Sequence, residues 1–218
     1  MGIRIDELGE PGRVPIRVHP GLGAGADGGK RPEVRVGRTA SSQYVSAIMM
    51  LGAFLDSGVE LVFDGPVTSA SYVRMTAGLV RRVGAGVTAW EEPIRRIGIA
   101  GGGCDGFELE IEPDASGATY FWGAGAIVPG AVVTVDGLGE ACLQGDCDFV
   151  ELLAQMGATV HRGECATTVA GHGALRGIEA DLSSMPDAAM TLAAVACFAT
   201  GPTVMHGLRT LRVKETDR

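Results

Sequence analysis

The last five residues of the sequence, Lys214-Glu215-Thr216-Asp217-Arg218, set two cations and two carboxylates side by side. If they open a helix, Lys214 and Arg218 lie four apart on one face with Glu215 beside them. Such a face either grips an anion or is a solvated, ion-paired helix surface. Three further clusters stand where a helix should start: Ser41-Ser42-Gln43, the stretch 114–116, and Ser183-Ser184-Met185-Pro186-Asp187. Helix N-termini present free backbone N–H groups and the positive end of a dipole, which suit phosphate and carboxylate ligands. Ser, Thr and Asp are equally ordinary helix caps, and Pro followed by Asp is also a plain helix start. Gly-rich stretches at 21–29 and 101–106 read as turns. The first runs into Lys30-Arg31 and lacks the Ser or Thr of a phosphate-binding loop.

Composition limits which of these readings can carry function. The formal charge is −8, which argues against a basic nucleic-acid-binding stripe. With Lys30 and Lys214 the only lysines, an acidic chain handling anionic substrates must concentrate its cations locally. Apolar residues make up 46% of the chain, enough for a real core. The apolar runs at 124–128 and 188–199 stop well short of the ~20 residues of a membrane span. Residues 1–10 are polar and acidic, unlike a secretory signal, so a cytoplasmic location is expected. Cys104, Cys142, Cys147, Cys165 and Cys197 are odd in number and form no CxxC pair. They predict neither a disulfide framework nor a zinc site, but small buried apolar residues in a reducing compartment.

The elements that must position these clusters repeat. One plan runs strand (EVRVGRT), helix from Ser41 to about Leu55, strand (VELVF), helix over 71–83 and Gly84. A second copy runs FELEIEPDAS, a helix from about Ala118, VVTV, a helix over 146–156 and Gly157. A third opens GIEADLSSMPDAAM, continues as an apolar helix to Phe198 and then PTVMHGL, and stops at Lys214. Gly84 and Gly157 are 73 residues apart, which supports the alignment. Tyr72, Met75, Leu79 and Val83 fall on one helix face, as do Phe149, Leu152, Leu153 and Met156. The layout is α/β, with strand-helix-strand-helix-strand units.

At SSQYVSAIMM, QGDCDFVELLAQMGATV, PDAAMTLAAVACFA and LRVKETDR, the chain resembles the 5-enolpyruvylshikimate-3-phosphate synthases from about Val14 to Arg218. The PDAAM and RVKETDR blocks are the specific ones. The resemblance implies an inside-out α/β fold of two domains hinged around the active site. Residues 1–112 would form the later part of the first domain and 113–218 the earlier part of the second. It implies a transferase of the shikimate pathway, in chorismate and aromatic amino-acid biosynthesis. The enolpyruvyl group of phosphoenolpyruvate would pass to the 5-hydroxyl of shikimate 3-phosphate, with release of phosphate and with no cofactor or metal.

The same resemblance assigns roles. Ser41 and Ser42 would hold the shikimate phosphate, and Gln43 would hold shikimate 3-phosphate and reach phosphoenolpyruvate. Ser69 would contact the shikimate phosphate, and Tyr72 would line that pocket. Asp187 would bind the shikimate hydroxyls and act as base. Lys214 would bind shikimate 3-phosphate, Glu215 would shuttle a proton, and Arg218 would clamp phosphoenolpyruvate. Protonating an enol carbon needs a positioned acid and freeing a hydroxyl needs a base, so two carboxylates could divide these duties. Arg suits a bidentate grip on the anion. The chain departs from the family at Thr210, where Asn is common, and at Ala70, where a Lys can occur. It has about half the family's length and lacks the amino-terminal lysine segment, the Gly-Asn-rich loop and the carboxy-terminal arginine and lysine. It is therefore expected to be incomplete and inactive alone, with the missing halves of its domains as partners. Enolpyruvyl transfer to UDP-N-acetylglucosamine and a non-catalytic binding remnant are the alternatives.

Overall fold

Val59, Leu61 and Phe63, at a spacing of two, give 59–63 one apolar face, and in the computed structural model that face of the strand is buried. The structure describes residues 4–19, 31–37, 41–91 and 93–213. The chain divides into two units. The first comprises residues 1–39, 43–67 and 79–107, and the second 40–42, 68–78 and 108–218.

In the first unit, β1 (Ile5–Glu7) and β2 (Ile16–Val18) form an antiparallel pair. Next come β3 (Glu33–Val36), α1 (Gln43–Phe54), β4 (Val59–Phe63), α2 (Ala70–Arg82), β5 (Val87–Trp90) and β6 (Arg96–Ile99). Residues 70–78 of α2 belong to the second unit. β3 pairs parallel with β4, and β6 lies antiparallel between β4 and β5, giving the order β3-β4-β6-β5. Val45, Met49 and Ala53 of α1 are buried, as are Val59, Leu61, Ile97 and Ile99 of the sheet. The helix lies so close that a Cβ on Gly52 would stand 2.1 Å from Val59 Cγ1.

The second unit holds α3 (Ala115–Ile127), β7 (Val132–Asp136), a 3-10 turn (Gly145–Asp148), α4 (Phe149–Met156), β8 (Thr159–Arg162) and β9 (Ala166–Ala170). Then follow β10 (Leu175–Arg176), β11 (Glu179–Asp181), a 3-10 turn (Pro186–Ala188), α5 (Ala189–Ala196), β12 (Ala199–Thr200), β13 (Val204–His206) and a last 3-10 segment (Leu208–Val213). The sheet order β7-β9-β8 repeats β4-β6-β5, with the latest strand in the middle and both ladders antiparallel. The parallel pair β11 and β13, joined through α5, repeats β3 and β4 joined through α1. β10 and β12 form a further parallel pair. Thus the sequence repeat is a repeat of sheet topology. Gly84 and Gly157 end α2 and α4 in left-handed conformation, with φ of 87° and 114°. Ala85 N–H and Ala158 N–H reach back to Val80 O and Leu153 O, closing both helices alike.

Small residues let α3 approach its neighbours. A Cβ on Gly123 would meet Thr191 Cγ2 at 3.0 Å, and one on Gly125 would meet Val133 at 3.0 Å. The hydroxyls of Thr119 and Thr191 pair at 2.9 Å across α3 and α5. Around them Trp122, Phe149, Leu153, Met156 and Leu192 are fully buried.

Three expectations need correction. FELEIE, 107–112, is not a strand. Its alternation is correct, but a strand exists through ladder bonds, and no described strand pairs with it. Instead the Glu112 carboxylate accepts the Leu143 N–H. On α2 the buried residues are Val73, Thr76, Ala77 and Val80, while Leu79 is exposed. The sequence held two overlapping apolar stripes. The one with the smaller side chains went inward, leaving Tyr72 for a polar contact. Finally, Cys142 and Cys147 are joined by a disulfide, and Cys165 and Cys197 are exposed rather than buried. The five-residue spacing conceals this pair because the 3-10 turn folds the two cysteines together.

Candidate functional site

Tyr72 and Asp187 are 115 residues apart in sequence and in direct contact: the phenol donates to Asp187 Oδ2 at 2.7 Å. Local structure explains both positions. Tyr72 lies in the first turn of α2, and its N–H bonds back to Ser69 O. Ser69 has φ of +50°, a left-handed backbone that costs a side-chain-bearing residue roughly 1–2 kcal/mol. Strain of this kind collects at functional sites. Asp187 lies in the 3-10 turn Pro186–Ala188, opened by Pro186 and continuous with α5. Pro fixes the turn's first φ, which aims Asp187 before the helix begins. Burial raises the Tyr72 hydroxyl far above the usual phenol range, helped by the bond to Asp187 and by the charges of Asp146, Asp187 and Asp114. Tyr72 is therefore a permanent donor.

Ser41 and Ser42 also belong to the second unit, with Ser42 buried and Ser41 half-buried. Gln43 opens α1 in the first unit with its side chain exposed. Thr210 lies in the last 3-10 segment, and its hydroxyl is buried without a hydrogen-bond partner among the described residues. Lys214, Glu215 and Arg218 lie outside the described residues. At Asp114 the structure shows a helix cap, the carboxylate accepting Ser116 N–H at the start of α3. Among the described residues, no group of three His, Cys, Asp or Glu side chains is placed to hold a metal. None of their helices is long and apolar enough to cross a membrane.

Two residues missed in the sequence reading support this cluster. Gln144 is a second cap of α3: its Oε1 accepts Ala115 N–H at 2.9 Å and its Nε2 donates to Pro113 O at 2.7 Å. Asp146, two residues on, is 3% exposed, and its Oδ1 has no hydrogen-bond partner among the described residues. Burial raises its pKa to about 6, with Asp187 and Asp114 adding repulsion and Ser116 acting in the opposite direction. The signal in the sequence is an Asp at the entry to a wholly apolar helix face.

Asp146 makes stability depend on pH. The folded protein holds its proton to about pH 6, against a usual value of 3.8 in an unfolded chain. Between these values the folded state binds more protons, so Asp146 lowers stability as pH rises, and the loss is complete above about 6. Asp146→Asn removes this loss. In urea unfolding the variant should gain on the wild type between pH 4 and 6 by up to roughly 3 kcal/mol, at about 1.4 kcal/mol per pH unit, then hold a constant difference. A difference that stays flat from pH 4 to 8 would show Asp146 ionised throughout.

A family model described as EPSP synthase (3-phosphoshikimate 1-carboxyvinyltransferase) matches residues 1–218. The chain belongs to this family. Relatives named 3-phosphoshikimate 1-carboxyvinyltransferase include one from Janthinobacterium sp. (strain Marseille), 36% identical over 100% of this chain and 48% of its own length. One from Cupriavidus necator is 40% identical over 100% of this chain and 50% of its own length. The EPSP synthase of Acinetobacter baumannii has a similar solved structure, with TM-score 0.74, 26% identity, and coverage of 100% of this chain and 48% of that one. The enolpyruvyl transferase NikO of Streptomyces tendae shares the fold at TM-score 0.63 and 18% identity, over 94% of this chain and 48% of its own. The inside-out enolpyruvyl transferase fold expected from the sequence is thus the fold found. The chain spans about half the length of the EPSP synthase relatives it matches.

Proposed function

We propose that this chain carries the shikimate-3-phosphate side of an enolpyruvyl transferase active site. The reaction is transfer of the enolpyruvyl group of phosphoenolpyruvate to the 5-hydroxyl of shikimate 3-phosphate, with release of phosphate. The observation that carries the reading is the Tyr72–Asp187 hydrogen bond, which joins two residues that family resemblance assigns separately to one substrate. Asp187 takes the proton of the attacking hydroxyl: that O–H bond breaks, a new one forms on the carboxylate, and the electron pair stays on the substrate oxygen. Tyr72 fixes the carboxylate's orientation. Ser41, Ser42 and Ser69 take the shikimate phosphate, and Gln43 reaches phosphoenolpyruvate. Lys214 binds shikimate 3-phosphate, Glu215 moves the second proton, and Arg218 grips phosphoenolpyruvate. The domain division at 112/113 and a cytoplasmic setting belong to the same reading, as do the further halves of the two domains as partners.

Calorimetric titration tests it. Shikimate 3-phosphate should bind the chain, and Ser69→Ala should weaken binding by about 1 kcal/mol for one lost hydrogen bond. UDP-N-acetylglucosamine should give no heat. Binding of the UDP-sugar instead would move the chain to the sister chemistry. Binding of neither would leave a non-catalytic remnant.

A further inference from the structure

Unlike Gly137 and Gly157, Gly145 does not adopt the left-handed backbone that calls for glycine. Contact excludes a side chain there instead. A Cβ on Gly145 would stand 2.8 Å from Ser184 O and 3.0 Å from Ser71 Cβ. Neither neighbour can swing aside, since one is backbone and the other is rooted in the first turn of α2. Ser71 Oγ, 3.5 Å from the same point, is buried without a hydrogen-bond partner among the described residues. Ser71 directly precedes Tyr72, and Ser184 stands three residues before Asp187. Gly145 thus touches the backbone roots of both members of the Tyr72–Asp187 pair.

The surroundings leave little room for adjustment. The strap through Ser184 is tied to β13: Leu182 N–H donates to His206 O at 3.0 Å, and a Cβ on Gly207 would stand 2.5 Å from Ser183 N. Asp181 Oδ1 accepts Ser183 N–H at 2.8 Å. The Gly145 turn is held by the Gln144 bonds to Ala115 N–H and Pro113 O, and by Leu143 N–H on Glu112. The Cys142–Cys147 bond closes the loop around it.

We propose that Gly145 is a positioning residue: by carrying no side chain, it sets the spacing between α2 and the Ser184 strap at which the Tyr72 phenol reaches Asp187. The catalytic use of that spacing rests on the reading of Asp187 as the base on the substrate hydroxyl. An added methyl must move Ser71 or Ser184 by roughly 0.5–0.7 Å to restore a normal contact of about 3.5 Å. A shift of that size is enough to take the 2.7 Å O–H···O bond past its usual limit of about 3.0 Å. Asp187 then loses the donor that orients it.

NMR on the full chain labelled with 13C at tyrosine Cζ tests this. The chain has three tyrosines, and the resonance lost in Tyr72→Phe identifies Tyr72. Asp187→Ala marks where that resonance lies without the Asp187 acceptor. Gly145→Ala should move it most of the way there and leave Tyr44 and Tyr120 in place. Adding Ser71→Gly removes the methylene that the new methyl meets, and should bring the resonance back toward its wild-type position. A role in packing alone lowers the urea midpoint and leaves the Tyr72 resonance unmoved, which overturns the proposal. A shift that Ser71→Gly does not reverse overturns it too. If Gly145→Ala does not fold, Ser71→Val adds bulk to the same contact from α2 and should shift the resonance, and an unmoved one is again decisive against the proposal. Shikimate 3-phosphate titrated into the wild-type chain separates the two readings. A moved resonance without binding defeats the proposed function alone, and binding with an unmoved resonance defeats this inference alone.

Discussion

Asp187→Asn should lower kcat on the order of 10²-fold or more, the usual loss for a positioned acid or base. The measurement needs an enzyme of the relatives' full length, such as a chimaera in which this chain replaces the matching half of the Cupriavidus necator relative. Asparagine keeps the shape and still accepts the Tyr72 hydroxyl, so the fold should change little. It cannot take the substrate proton. Because the interaction lost is one made in the transition state, kcat and kcat/KM should fall together while the KM for shikimate 3-phosphate changes little. Glu215→Gln should show a loss of the same order. Capping is the competing role for Asp187, and it predicts about 1 kcal/mol of stability lost with kcat nearly intact. The structure gives that role no support, since the Asp187 turn has Met185 at its cap position and shows no side-chain cap bond. A variant that melts lower but turns over normally would end the catalytic assignment.

The repeat and the stops of α2 and α4 were legible because they rest on local rules. A helix period of 3.6 exposes its apolar stripe, and a left-handed helix end needs Gly. The Phe149, Leu152, Leu153 and Met156 face is buried as the spacing implied. What local rules cannot choose is between two stripes on one helix. On α2, Val73, Ala77 and Val80 went inward and Tyr72 reached Asp187, a choice made by a contact 115 residues away. The FELEIE misreading has the same origin, since alternation is necessary for a strand but pairing decides it. The site divides along this line too. The proposed substrate contacts follow from motifs, whereas Gln144 acts through Ala115 and Pro113, and Asp146 is set apart by its burial, which only folding brings about.

Trp122→Ala should cost the second unit about 3–5 kcal/mol, the range for emptying a large aromatic site in a core. Trp122 is fully buried in the middle of α3, and its indole N–H donates to Thr167 O on β9 at 3.2 Å. Removing it opens a cavity where α3 crosses the sheet and takes away the indole's hydrogen bond to that carbonyl. The surroundings cannot collapse easily, because Gly123 and Gly125 already bring α3 into close contact with α5 and β7. Trp122→Phe separates the two losses. It keeps most of the volume and forfeits the hydrogen bond, so about 1–2 kcal/mol is expected. Against a typical total stability of roughly 5–15 kcal/mol, the alanine variant loses a large share. Urea unfolding followed by far-ultraviolet circular dichroism measures both variants. Trp90 sits in the first unit with Arg81 over its ring, so its fluorescence in Trp122→Ala reports on that unit separately. An unchanged Trp90 transition alongside a shifted dichroism transition means that the units unfold independently. A Trp122→Ala cost below about 1 kcal/mol would mean that α3 is not the centre of a cooperative core, and the Tyr72–Asp187 contact would then lack the rigid support that its proposed chemistry requires.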